Sequence, residues 1–163
     1  MTLVIDANVG LKWFIEESRS TVARQILEKG ASFIAPDIFI PEICNVVWEK
    51  VKNQEITAEQ GEAIVANVPM VLDHIVPSSE VASRAFALAV QFNHSVYDCL
   101  YLELAERDSI TLITDDAKLV NIAKKAKLAR SFGRYKPKGC RPLNSQNTWF
   151  TIESPTPFRH SAR

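Results

Sequence analysis

Short β-branched runs alternate along the chain with stretches whose apolar side chains return every three or four positions. Thr2-Leu-Val-Ile-Asp6 is an apolar run that ends on an acid, and residues 8–14 follow with helical spacing. Residues 20–29 predict a helix with Val22, Ala23, Ile26 and Leu27 on one face, stopped by Gly30, before a second strand over 31–35. Beyond Pro36, Ile40, Ile43, Val46, Val47 and Val51 form one helical stripe, leaving Glu42, Asn45, Glu49 and Lys52 off it. Thr57 and Gln60 have the spacing of a capping box for a helix through Val68. Residues 70–76 read as a third strand and 79–92 as a strongly apolar helix ended by Asn93-His94. A helix over 95–106 carries Asp98 in or near its first turn, where the helix dipole favours negative charge. Residues 110–114 read as a buried strand that delivers Asp115-Asp116, and 117–127 return to helix.

This alternation predicts an α/β fold of three layers, α/β/α, around a mainly parallel sheet. Ligands of such sheets bind beyond the carboxyl ends of the strands, so the strand-terminal acids Asp6 and Asp116 should share one rim. From residue 129 onward the pattern decays into Arg, Lys, Gly, Ser and Pro, with Pro137, Pro142, Pro155 and Pro157 breaking any long element and only 148–152 strand-like. The expected organisation is one catalytic domain over 1–128 and a basic, Pro-containing extension of uncertain order over 129–163.

Charge changes the picture more than composition does. Residues 1–117 hold 8 Lys+Arg against 18 Asp+Glu, and 118–163 hold 11 against 1, so a chain of zero net charge divides into parts of about −10 and +10. That suits an acidic metal site beside a surface able to hold a polyanion, and equally an acidic body with a solvated basic tail. Cys44, Cys99 and Cys140 are odd in number and far apart, and His74, His94 and His160 lack ligand spacing to one another or to the cysteines, which argues against a disulfide framework and a nitrogen–sulfur zinc site. No apolar run reaches the roughly 20 residues of a membrane span, and residues 1–6 lack a secretion-signal layout, so no membrane association and a cytoplasmic location are expected.

Candidate chemistry therefore rests on carboxylates: Asp6, Glu42, Asp98 and the pair Asp115-Asp116. Each alone has a bland reading. Asp6, Asp115 and Asp116 stand where a helix N-cap would, Asp98 favours a helix start, and Glu42 suits a solvated helical face. Converging without a cation, such acids would repel one another and raise their own pKa values, so convergence is itself an argument for a divalent ion.

The ordered set Val4-Ile-Asp-Ala-Asn8, Ile40-Pro-Glu-Ile-Cys-Asn45, Val96-Tyr-Asp-Cys-Leu-Tyr-Leu102 and Leu112-Ile-Thr-Asp-Asp116 resembles the PIN-domain family, over about residues 1–128. Within that family it looks most like the VapC-type ribonuclease toxins of type II toxin–antitoxin systems. The resemblance implies a Mg²⁺- or Mn²⁺-dependent endoribonuclease, a hydrolase whose water attacks RNA phosphate in line and leaves a 3′-hydroxyl and a 5′-phosphate. It implies Asp6 and Asp98 as direct metal ligands, Glu42 as support through water or a second metal, and Asp116 as the fourth acid. Thr114 would brace the site, Asn8 would hydrogen-bond a ligating carboxylate, and Asp115 occupies a variable position, leaving open which member of the doublet points inward.

Lys12, Arg84, Lys118 and the basic residues up to Arg141 are candidates for phosphate contact, whereas Trp13 and Trp48 read as core or interface rather than base-stacking platforms. The resemblance also implies a homodimer and a cognate antitoxin whose C-terminal segment lies in the active groove. The tail departs from it, because such toxins end soon after a short final strand. A PIN-fold module that binds RNA or protein without turnover is the alternative. A haloacid-dehalogenase-like phosphatase would want a second acid where Asn8 stands; a phosphoacceptor receiver would want an acidic pair at the first strand and a lysine after a late one. Neither pattern is met.

Overall fold

Four short strands, β1 (Thr2–Ile5), β2 (Ser32–Pro36), β3 (His74–Val76) and β4 (Thr111–Thr114), run parallel in one sheet. The computed structural model describes residues 1–28, 30–125, 131–135 and 149–153, the last two stretches as backbone. Those stretches are β5 (Ser131–Tyr135) and β6 (Trp149–Glu153). β6 pairs antiparallel with β4 and β5 antiparallel with β6, giving the order β3-β2-β1-β4-β6-β5. Successive strand residues point to opposite faces. Leu3, Val4 and Ile5 of β1 are all at most 1% exposed, so both faces of the sheet centre are covered and the molecule is layered α/β/α as expected.

The helices are α1 (Ala7–Gly10), α2 (Ser20–Leu27), α3 (Phe39–Lys52), α4 (Ala58–Asn67), α5 (Ala82–Phe92), α6 (Val96–Asp108) and α7 (Ala117–Lys125). α4 opens with both reciprocal bonds of the expected capping box, Gln60 N–H to Thr57 Oγ1 at 3.2 Å and Thr57 N–H to Gln60 Oε1 at 2.9 Å. α6 buries Cys99, Leu100, Tyr101, Leu102, Leu104 and Ala105, which is nearly its whole circumference, because it lies between the sheet and α5. Its position at the centre is what brings Asp98 to the rim. Gly10 lets α1 lie against α3: a Cβ there would come within 2.5 Å of Phe39 Cζ. The helix that follows Asp6 and the helix that carries Glu42 are thus pressed together.

Several elements depart from the pattern. The expected strand over 70–76 shrinks to β3, because Pro69, whose fixed φ suits a helical first turn, starts a 3₁₀ turn over Val68–Val71. The helix expected over 79–92 begins as a 3₁₀ turn over Ser78–Glu80, tied to Asp37 through the Ser78 hydroxyl and N–H, before α5 proper. Residues 8–14 divide between α1 and a 3₁₀ turn over Leu11–Trp13. β5 lies in a stretch where the hydropathy pattern marked no element, whereas β6 falls on the strand-like 148–152. The rest of the tail, with Cys140 and His160, and the expected helical residues Lys29, Ala126 and Lys127 lie outside the described residues. No helix among those described is long and apolar enough to cross a membrane.

Candidate active site

β1 and β4 are neighbours, and the chain builds outward from β1 toward β2 on one side and toward β4 on the other. Asp6 and Asp116 therefore emerge side by side at a topological switch point, where α/β sheets open a crevice. Asp6 is the N-cap of α1, its Oδ1 accepting from the Asn8 N–H at 3.4 Å. Its Oδ2 accepts from the Thr114 hydroxyl at 2.6 Å. That same hydroxyl oxygen accepts from the Asp116 N–H at 2.9 Å, so the fully buried Thr114 ties the two strand ends together. Asp116 in turn accepts the Lys118 N–H on Oδ1 at 2.7 Å, at the head of α7. Capping and site building are not alternatives here. A cap fixes each carboxylate's backbone while leaving oxygen lone pairs for other partners.

Glu42 leaves the first turn of α3 and Asp98 the first turn of α6. With Asp6, Asn8, Lys12, Pro41, Asn45 and Tyr97, among others, they line a cleft of about 610 Å³. Tyr101, one turn beyond Asp98, is buried, and its hydroxyl donates to Glu42 Oε2 at 2.5 Å. The remaining acid, Asp116, groups with Asp98 and with a residue the sequence reading discounted: a ring nitrogen of His94 and one oxygen from each aspartate lie within 4.8 Å of one another. Its Nε2 is 2.8 Å from Asp98 Oδ2 yet lacks the alignment of a hydrogen bond. The four-residue spacing of His94 and Asp98 was the available signal, masked by the break between α5 and α6.

The doublet divides its two members. Asp115 turns to cations, pairing with the Arg19 guanidinium and lying 3.6 Å from Lys12 Nζ, while its N–H donates to Asn8 Oδ1 at 3.3 Å. The Asn8 side-chain oxygen thus braces the turn after β4, and its backbone N–H is what reaches Asp6. Lys12 is itself buried, donating to Asn8 O at 2.9 Å and lying 3.7 Å from Glu17. Arg84 sits on α5 with Nε 3.9 Å from Glu103, away from the cleft's lining. Trp13 is core, donating to Ala23 O at 2.8 Å and packing on Phe33, but Trp48 is 56% exposed with Lys52 Nζ 5.1 Å from its ring centre.

Burial, more than mutual repulsion, sets the electrostatics of these acids. Burial, opposed by the Thr114 and Asn8 hydrogen bonds and reinforced by Glu42 and Asp98, raises Asp6 from about 3.8 to about 7. Burial likewise raises Glu42 despite the Tyr101 bond, and Asp98 against the pull of His94, with Asp116 adding repulsion. Burial and the neighbouring Glu42 push the Tyr101 hydroxyl well above its ordinary range, so it stays a donor. Carboxylate oxygens in this number, held by caps and hydroxyls, with an imidazole nitrogen that has no aligned partner, form a donor set that fits a divalent cation.

Residues 3–125 match the family model of the PIN domain. Among curated proteins, the chain is similar to Ribonuclease VapC3 of Pyrobaculum aerophilum, 26% identical over 121 residues that cover 73% of this chain and 92% of that one. It is also similar to Ribonuclease VapC1 of Mycobacterium tuberculosis, 28% identical over 118 residues that cover 71% and 86%. In fold it resembles a chain of the VapBC2 complex of Rickettsia felis, solved with a DNA fragment of its promoter. The TM-score is 0.55 at 16% identity, covering 75% of this chain and 93% of that one.

Proposed function

The chain belongs to the PIN domain family, and from that premise we propose that it is a divalent-metal-dependent endoribonuclease, the toxin of a VapC-type toxin–antitoxin pair. What carries this reading is the meeting of Asp6, Glu42 and Asp98 on one cleft, with Asp116 beside Asp98, and the burial that, with a smaller share of mutual repulsion, raises the pKa of the first three. Acids so placed call for a cation from outside the chain. Asp6, Asp98 and Asp116 are the residues we assign to hold Mg²⁺ or Mn²⁺, with Glu42 supporting through water. When bound, such an ion supplies an activated water and neutralises charge developing on the phosphate oxygens. Thr114 locks the orientation of Asp6, and Tyr101 holds Glu42 toward the cleft.

Lys12 on the cleft wall and Lys118 beside Asp116 are the phosphate contacts we favour; Arg84 would serve only a longer RNA path. The catalytic unit is assigned to residues 1–128, with the basic residues of 129–163 as additional surface for the polyanion. Partners of this reading are RNA, a second copy of the chain and an antitoxin segment in the cleft, all in the cytoplasm.

The test is cleavage of a mixed set of structured and single-stranded RNAs by the purified chain. Cleavage should require Mg²⁺ or Mn²⁺, stop in EDTA and return on adding the ion. RNA binding without cleavage would favour the idle binding module, and equal cleavage in EDTA would remove the metal from the mechanism.

Tyr101→Phe isolates the hydroxyl, since phenylalanine refills the same buried volume. A hydrogen bond to a charged group contributes about 1.5–3 kcal/mol, so kcat/KM for RNA is expected to fall about 10–100-fold with an unchanged circular dichroism spectrum. An unchanged kcat/KM would show that Glu42 needs no such support.

A further inference from the structure

Building on the metal-dependent reading above, we infer that His94 is itself a ligand: with Asp98 and Asp116 it forms a mixed nitrogen–oxygen locus beside the carboxylates Asp6 and Glu42. Asp98 is common to both groups, since it lines the cleft with Asp6 and Glu42 and also gathers with His94 and Asp116. The three donor atoms lie within 4.8 Å of one another, a little beyond the roughly 4.2 Å that two opposed ligands of one ion span at bonds of about 2.1 Å, so small side-chain rotations bring them onto one ion.

The backbone fixes His94 for this position. Asn93 ends α5 in the left-handed region at φ 50°, and the His94 N–H donates back to Ala89 O at 3.0 Å, which turns the chain sharply toward Ser95, the cap of α6. The side chain is only 14% exposed, and its Nε2 is buried without an aligned partner. That nitrogen faces a space bounded by the carboxylates of Asp98 and Asp116, an arrangement a cation would satisfy.

One imidazole among oxygens also changes which ion is preferred. Oxygen donors alone suit Mg²⁺, whereas imidazole favours borderline transition ions. The inferred locus selects Mn²⁺ or Co²⁺ over Mg²⁺.

The experiment uses the full chain stripped of metal and titrated with Mn²⁺ and separately with Mg²⁺, for the unaltered protein, His94→Gln and Asp98→Asn. Paramagnetic resonance of the Mn²⁺-loaded unaltered protein is expected to carry the hyperfine signature of a nitrogen ligand, and His94→Gln is expected to lose it. Mn²⁺ affinity should fall by at least about tenfold in His94→Gln, because even partners outside a metal's ligands are worth about that much, with a smaller loss for Mg²⁺. Mn²⁺ bound without the nitrogen signature, and equally well by His94→Gln, would overturn the inference while leaving the carboxylate site standing. Absence of Mn²⁺ binding in the unaltered protein, with Asp98→Asn no different, would overturn both. The nitrogen signature is read on the unaltered protein, so it does not depend on any variant folding.

Discussion

Asp98→Asn is expected to reduce metal-dependent RNA cleavage by about three orders of magnitude or more, equivalent to roughly 4 kcal/mol of lost transition-state stabilisation, with the fold retained. Asp98 is the acid on which the other groups converge: it faces Asp6 and Glu42 across the cleft and Asp116 and His94 beside it. An amide at this position keeps the shape but presents one neutral oxygen where a carboxylate offered charge and two, so the ion would be held weakly and placed poorly. The structural cost is small. Asp98 is partly exposed in the first turn of α6, Ser95 still caps that helix through the Tyr97 N–H at 3.2 Å, and the core contacts begin at Cys99. Single-turnover cleavage at saturating Mn²⁺ and a thermal melt check both halves. A rate within about tenfold of the unaltered protein would remove Asp98 from the metal-holding set.

The features legible in the sequence are those governed by local rules. Period-two and period-3.6 patterns located β1, α3, α6 and β4, the Thr57–Gln60 spacing located the start of α4, and parallel topology then brought Asp6 and Asp116 to one rim. Less legible were contacts between distant positions. Nothing local says that Tyr101, which reads as one more apolar position of α6, will send its hydroxyl to Glu42, 59 residues away. His94 was hidden by a boundary, because four-residue spacing implies proximity inside a helix but not across a left-handed turn. Asp115 and Asp116 were indistinguishable until the turn after β4 committed one to Arg19 and Lys12 and the other to Asp98 and His94. Trp48 reads as core or interface, and the structure removes only the first: it lies on α3 off the stripe of Phe39, Ile43 and Val47 that the core covers.

Asp6→Asn is expected to stabilise the metal-free protein at pH 7 by about 2–3 kcal/mol and to abolish cleavage. Asp6 is 8% exposed, and burial holds its pKa near 7 in the folded chain against about 3.8 in the unfolded one. A carboxyl that binds its proton more tightly when folded favours the folded state at low pH. Its contribution is most favourable below about pH 4, declines as pH rises toward 7 and is level above that. Asparagine carries no charge to desolvate and caps a helix as well as aspartate. It keeps an oxygen for the Asn8 N–H, and its amide can donate to the Thr114 hydroxyl oxygen, which already accepts from the Asp116 N–H. The rearranged bond is why the expected gain falls short of the roughly 4 kcal/mol that the full pKa difference represents. Urea unfolding in EDTA, run from pH 4 to 8, should show the two proteins alike at the acid end and separating as pH approaches 7. Mn²⁺ at about 100 times its Kd should then raise the unaltered protein by about 2.7 kcal/mol and the variant hardly at all, narrowing or reversing their order. If Asp6→Asn is no more stable than the unaltered chain in EDTA at pH 7, the charge of Asp6 is not being held at a cost, and the electrostatic case for a cation at this rim fails with it.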